Sequence, residues 1–515
     1  MKCVLPTEIS TKKLIFFTSA FLQALFGCFT LFFKNDIFQG LLNSQLVVKE
    51  GTESFKAWRE TPMPVYTKFY FYSITNPKEF QLNHAKPILE EKGPYVFREK
   101  EEKVDIVWNT NSTVSYRRRK LYWFEPEMSV GPLTDTVMTL NLPLVASADS
   151  ARNNFFMQWG LSDIFQTMEA KLFNNKTIGE LMFEGYQDEL ISIGDAFTEE
   201  EDKAVPMDKF GYFYKRNGTT FADGDLSMHT GEDDISLLGK ISTWNHQTRT
   251  SAYSGECGQV RGSSDGLFAP GTLAMKDRFE LWSTDICRPL SFQRDGVESV
   301  HGITVDKFRL SQDVFANKTL CADNSCYNNN LPSGVQNTTQ CKMKSPSFVS
   351  RPHFLGADPF YQDQFQYGIH PDPERHESTI LIEPKSSIPL KVSMKLQINI
   401  LLEKSEGINY IFKDLPRVFY PVFWFESEAS LEESQSDQIA LLVNLPIILQ
   451  TCGIIGIILG LMGILIMMIC SLRNKQSKPD LVNCEYGKVS LKEQEALAGL
   501  VSTPIIKSSL LCTSH

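Results

Sequence analysis

Two apolar runs bracket a long stretch in which apolar and polar residues mostly alternate. Residues 14–33 (LIFFTSAFLQALFGCFTLFF) carry no charged side chain over 20 positions, and residues 447–470 (IILQTCGIIGIILGLMGILIMMIC) carry none over 24. As helices these runs extend roughly 30 Å and 36 Å, enough to cross a hydrocarbon layer of about 30 Å. Between them, residues 64–74 (PVYTKFYFYSI), 93–100 (GPYVFREK), 113–126 (TVSYRRRKLYWFEP) and 390–403 (LKVSMKLQINILLE) are β-branched or aromatic. Their period-2 stretches and turn residues predict strands. Residues 154–173 behave differently, with Leu161, Ile164, Phe165, Met168 and Leu172 at helical spacing. Residues 176–190 (KTIGELMFEGYQDEL) follow as an expected second helix, so an apolar helical hairpin is set among strands. No repeat, heptad run or Pro/Gly/Ser linker divides the interior, which reads as one domain of about 400 residues.

Each apolar run has a face of small residues. Ala20, Ala24 and Gly27 form one, and Gly453, Gly456, Gly460 and Gly463 form the other. Small residues let helix backbones approach closely in lipid, so the two spans are expected to pack together or to pair between chains.

The first run is longer than a signal-peptide core and ends in Phe32, Phe33 and Lys34 instead of a small-residue cleavage site. It reads as an uncleaved anchor. Lys2, Lys12 and Lys13 precede it, and Arg473, Lys475 and Lys478 follow the second run. Positive flanks stay in the cytoplasm. The expected order is therefore a cytoplasmic tail (1–13), a span (14–33), an ectodomain (34–439), a span with its flanks (440–472) and a cytoplasmic tail (473–515). A formal charge of −10 argues against a nucleic-acid partner.

The chemistry between the spans is that of an oxidising, lumenal setting. The Asn-x-Thr sites Asn111, Asn175, Asn217, Asn317 and Asn337 all fall there and are expected to carry glycans. So do Cys257, Cys287, Cys321, Cys326 and Cys341. The Cys321 and Cys326 spacing lacks the second Cys-x-x-Cys or His pair of a zinc ribbon, so disulfides are expected and no metal. Five cysteines allow about fifteen arrangements of two bridges with one thiol left over. In the tails, Cys3, Cys470 and Cys484 are candidates for palmitoylation, and Tyr486–Val489 resembles an endocytic signal.

Several catalytic patterns fail on inspection. GSSDG (262–266) puts Ser264 in a nucleophile position, but Pro270-Gly271 denies the helix that a nucleophile elbow needs. His370 and His376, with Asp372 and Glu374, suggest a metal site, yet Pro371 and Pro373 break any shared helical face, and a surface turn is expected. Arg117–Lys120 reads as a solvated strand with a capacity for anionic surfaces, and Glu199–Asp202 as a solvated loop. No catalytic set and no cofactor site emerges.

The two-pass hairpin, GPYVF (93–97), TVSY…FEPEMSVG (113–131), GYQDEL (185–190), DICRPL (285–290), RPHFLGADPF (351–360) and HPDPERHESTILIEP (370–384) together resemble the class B scavenger receptors. The resemblance covers residues 10–475. It implies an α+β fold: an irregular antiparallel β-barrel ectodomain with an apical helical bundle and an internal hydrophobic tunnel. It implies a receptor at the plasma membrane, or in endosomes and lysosomes. Its ligands would be lipids or lipoproteins (fatty acids, sterol esters, carotenoids or phospholipids), with lipid passing down the tunnel to the bilayer. The alternative is a phagocytic or adhesion receptor for apoptotic cells or microbes, or a lysosomal sorting receptor, without lipid conduction. For the cysteines it implies Cys287–Cys341 and a short Cys321–Cys326 loop, leaving Cys257 without a partner. At the apex it implies ligand reception by Phe155, Phe156, Trp159, Phe165 and Lys171. Thr167 and Glu169 stand where fatty-acid-binding members carry lysines.

Overall fold

The computed structural model describes residues 11–191, 208–273, 276–327, 331–341 and 346–476. Cys3, Cys484, Glu199–Asp202 and the Tyr486–Val489 motif lie outside the described residues. The chain divides into two compact units, one built on Phe32–Thr451, the other on Met1–Leu31 and Cys452–His515.

The first half of the larger unit supplies β1 (Val65–Ile74), β2 (Leu89–Trp108), β3 (Thr113–Phe124), β4 (Thr136–Leu140), β5 (Phe173–Thr177), β6 (Leu226–His229) and β7 (Ile241–Trp244). The second half supplies β8 (Arg278–Ser283), β9 (Arg288–Val300), β10 (Ile303–Leu310), β11 (Val335–Asn337), β12 (Ser347–Ser350), β13 (Thr379–Ile382), β14 (Pro389–Leu402) and β15 (Val418–Ser430). Thirteen of these form one antiparallel sheet along the path β7-β6-β3-β2-β1-β15-β14-β13-β10-β9-β8, with β12 also paired to β14 and β11 paired to β12. The strands expected from alternation are β1, part of β2, β3 and β14. In β1, Phe69, Phe71, Tyr72 and Ile74 are all buried, as in a strand covered on both faces.

The first and last strands of that path meet through one residue. Ser263 bridges Lys240, just before β7, and Leu281 in β8. Ser263 N–H donates to Glu280 O at 2.8 Å, Trp282 N–H donates to Ser263 O at 2.8 Å, and Ile241 N–H donates to Gly262 O at 3.0 Å. Gly262 has φ +101°, and a Cβ there would meet Glu280 O at 3.0 Å, so this close approach needs glycine. The GSSDG segment is thus the seam that closes the barrel.

The helices of this unit are short. They include α2 (Glu53–Arg59), α3 (Pro77–Asn83), α4 (Leu142–Ser150) and α5 (Phe155–Thr167); α1 (Thr11–Leu46) precedes them and an apolar helix, Glu433–Gln476, follows the sheet. The helical hairpin expected over 154–190 is only half made. α5 ends because Glu169 takes φ +48° and Ala170 N–H donates back to Phe165 O at 2.9 Å. Residues 173–177 then pair as β5 with β4, Leu140 opposite Phe173, and Glu180–Glu184 makes a single π-turn. Pairing with the free edge of β4 makes strand of the link and of Lys176 and Thr177, so only a short turn of the expected second helix remains, and α5 packs against α4 instead.

α1 and the C-terminal helix are long and apolar enough to cross a membrane. Their outer parts pack small face to small face. A Cβ on Gly27 would sit 2.6 Å from Gly453 O, and one on Gly460 would sit 2.7 Å from both Ala20 O and Ala24 Cβ. The two helices thus pair within one chain, the intramolecular form of the expected packing.

Two disulfides staple the larger unit, Cys287–Cys341 and Cys257–Cys326, while Cys321 is free. The Cys321–Cys326 loop implied by the resemblance is not formed. Tyr327 decides this: its hydroxyl donates to Cys257 O at 3.0 Å, and its ring packs on Tyr253 at 4.9 Å and under Arg288 at 3.6 Å. That packing carries Cys326 to Cys257, while Cys321 stays at the far end of the turn Ala322–Asn324.

Candidate functional site

α5 is capped by Asn154, whose side chain accepts from Met157 N–H at 3.2 Å. One face docks on the loop before β15. Ser162 Oγ accepts from Tyr410 N–H at 3.3 Å, Gln158 Oε1 accepts from Gly407 N–H at 3.0 Å, and Phe165 packs on Phe412 at 6.2 Å. The first turn turns outward: Phe156 is 83% exposed, Phe155 67%, Trp159 59% and Met157 46%. Four large apolar side chains held together in water lose hydration free energy with no internal gain, and contiguous patches of this kind mark binding surfaces. Of the residues expected to receive ligand, Phe155, Phe156, Trp159 and Lys171 are exposed. Phe165 is not. It is fully buried, because it lies three residues after Ser162 and seven after Gln158, on the docked face.

Beneath that face lies an aromatic core. Phe69 meets Phe97, Phe213 and Phe423 at 5.1 to 6.1 Å, and Phe183 meets Phe97, Tyr122 and Phe213 at 5.0 to 5.6 Å. A separate cavity of about 590 Å³ lies along the barrel seam, between the apolar cluster of Leu273, Phe279 and Val314 and that of Leu238, Ile241 and Val260. None of its lining residues belongs to α5.

The remaining sequence candidates have structural employment. Ser264 is fully buried and shares a hydrogen bond of 2.7 Å with Tyr116 Oη. The adjoining Asp265 accepts from Trp58 Nε1 and Arg118. Arg117–Lys120 is wholly ion-paired, Arg117 to Asp225, Arg118 to Asp265, Arg119 to Glu102 and Lys120 to Glu99, and Arg118 is largely covered. That leaves little of the run for an anionic surface. His376 is buried, contrary to the expected surface turn. Its imidazole stacks on His353, a residue that sequence spacing does not connect to it. His353 Nε2 donates to Glu91 at 2.6 Å, and His370 N–H donates to His353 Nδ1 at 3.0 Å. Glu91, also bonded by Trp424 Nε1, titrates at about 2: burial opposes that shift, and the bonds from His353 and Trp424 outweigh it. Among the described residues no acidic, His or Cys cluster is placed to hold a metal.

Comparison with known proteins places these features in a lineage. Residues 17–471 match the CD36 family. The chain is 34% identical to Protein peste of Drosophila melanogaster, over 79% of this chain and 74% of that one. It is 32% identical to Lysosome membrane protein 2 of Homo sapiens over 81% and 86% of the two chains. It is 29% identical to Scavenger receptor class B member 1 of Bos taurus over 92% of each. With an antiparallel, nearly closed sheet flanked in sequence by two terminal apolar helices, the chain belongs to the CD36 family, the family of the class B scavenger receptors.

Proposed function

We propose that the protein is a non-enzymatic membrane receptor that takes lipid or lipoprotein ligands at α5 and passes lipid toward the bilayer. Both termini lie in the cytoplasm, and residues 34–439 face the cell exterior or an endolysosomal lumen. The observation that carries this reading is the outward turn of α5, where Phe155, Phe156, Met157 and Trp159 stand exposed together. The name of a relative, Scavenger receptor class B member 1, supports it. All five Asn-x-Thr sites fall in the unit Phe32–Thr451 with both disulfides, which supports glycosylation of that unit. Cys470, exposed near the end of the second apolar helix, is proposed as a palmitoylation site.

Replacing Phe156 and Trp159 together by serine tests the reading. Binding of lipoprotein or lipid vesicles to cells displaying the chain should fall about tenfold, as expected for two aromatic anchors. Unchanged binding would refute it. The ring-filled core against α5 favours a second reading, in which the receptor grips particles without conducting lipid. Binding without any transfer of a labelled lipid ester into the membrane would select that one.

A further inference from the structure

The seam cavity has a chemistry of its own. The sheet is joined there by single bridges at Ser263 instead of a full ladder, which leaves room between the two apolar clusters. Its volume, about 590 Å³, lies within the range of small-ligand sites, roughly 300–1,000 Å³. Cations dominate its polar lining. Arg261 is tied to Glu280 at 3.0 Å and Arg278 to Asp313 at 2.8 Å. Among the described residues Lys240, Lys276 and Arg288 make no ion pair, although Glu280 acts on Arg288 and Asp234 on Lys240 at longer range, and the lining keeps more cations than carboxylates in a chain whose net charge is −10.

Arg288 is the unusual member. It is 5% exposed, and among the described residues it has no carboxylate partner. Its Nη1 donates to Val314 O at 2.9 Å and Gln336 Oε1 at 2.8 Å, and its Nε to Pro289 O at 3.3 Å. Nη2 reaches only Asn324 Oδ1, at 3.5 Å. A buried guanidinium hydrogen-bonded to neutral acceptors and the Tyr327 ring, with Glu280 acting only at longer range from its pairing with Arg261, is electrostatically incomplete, and burial pushes its pKa down. An anion would complete it, and the surrounding Phe268, Leu273 and Phe279 would cover an apolar tail.

We infer that the barrel seam is a binding site for an anionic amphiphile, its head group on Arg288 with Lys240 and Lys276, and its tail between the two apolar clusters. This site is separate from the α5 surface and discriminates by head-group charge, favouring free acids over their neutral esters.

Cys321, a free thiol lining the same cavity, reports on occupancy. Full-length protein in lipid nanodiscs is alkylated with a maleimide, with or without cis-parinaric acid, its methyl ester or inorganic phosphate, and Cys321 is read by peptide mass spectrometry. The acid should slow Cys321 alkylation. The ester should need about tenfold more probe, the loss of one charge-assisted hydrogen bond, and phosphate alone should not protect. Arg288→Met should erase the preference for the acid. Because that change also removes four bonds of a buried side chain, Lys240→Gln/Lys276→Gln and Ser291→Leu serve beside it. The Ser291 hydroxyl has no partner, so its loss costs the fold little, and leucine there fills the cavity. Both variants should lose protection while keeping their disulfides and thermal midpoint. Equal protection by acid and ester, protection by phosphate alone, or protection that survives Ser291→Leu would each overturn the inference. Loss of protection on Phe156→Ser/Trp159→Ser would place the ligand at α5 and overturn it too.

Discussion

The imidazole of His376 lies nearly parallel to that of His353, ring centroids 4.3 Å apart and planes 16° from coplanar. Asp372 N–H donates to His376 Nδ1 at 3.0 Å, so the proton sits on Nε2, which has no partner. Protonation of Nδ1 would break that bond and add a charge beside His353 and Arg375, with Glu91 and Asp372 the nearby carboxylates. Burial first, then the neighbouring His353 and Arg375, lowers its pKa to about 3.

A histidine with a depressed pKa stabilises the fold fully above its unfolded pKa of about 6.5 and progressively less as pH falls toward the folded value. Between pH 6.5 and 4.5 the protein should therefore lose stability, about 2 kcal/mol at pH 5 from this group. Glu91 contributes in the same direction only below about pH 4.5. Thermal melts across this range should show a slope that His376→Phe flattens. An unchanged slope in that variant would count against the account.

The cysteines give a sharp comparison. Cys257–Cys326 closes a separation of 69 residues, so Cys326→Ser should cost about 2–5 kcal/mol. Cys321→Ser should stay within about 0.5 kcal/mol, since that thiol bonds nothing covalently. Thermal midpoints, with non-reducing peptide maps, distinguish the two.

Ser264→Ala tests the seam. It removes the 2.7 Å hydrogen bond to Tyr116 and should lower stability by about 1 kcal/mol with ligand handling intact. A selective loss of ligand handling would restore the nucleophile reading.

Cysteines at Ala24 and Gly456 should cross-link within one chain, because Gly456 faces the Gln23–Gly27 turn of α1 at 3.5 Å. Gly460→Leu should abolish that cross-link, since no side chain fits 2.7 Å from Ala20 O. Cross-links found only between chains would show the glycine face serving oligomers.

The apical aromatics of α5 came from the family resemblance, whereas the apolar helices, strands β1, β3 and β14, and the helical spacing of α5 were legible from residues alone. Each rests on a period or a run contained within one element, where burial of one face or of all faces dictates local conformation. What lay beyond reach depends on residues far apart in the chain. The edge of β4 drew Lys176 and Thr177, expected to begin a helix, into β5. Tyr327 on Cys257 chose the disulfide, Glu91 and His353 took His376 inside, and Ser263 closed the barrel between Lys240 and Leu281. Local patterning settles which surfaces must leave water; which surface each then meets is settled by long-range packing, and no window of sequence contains both partners.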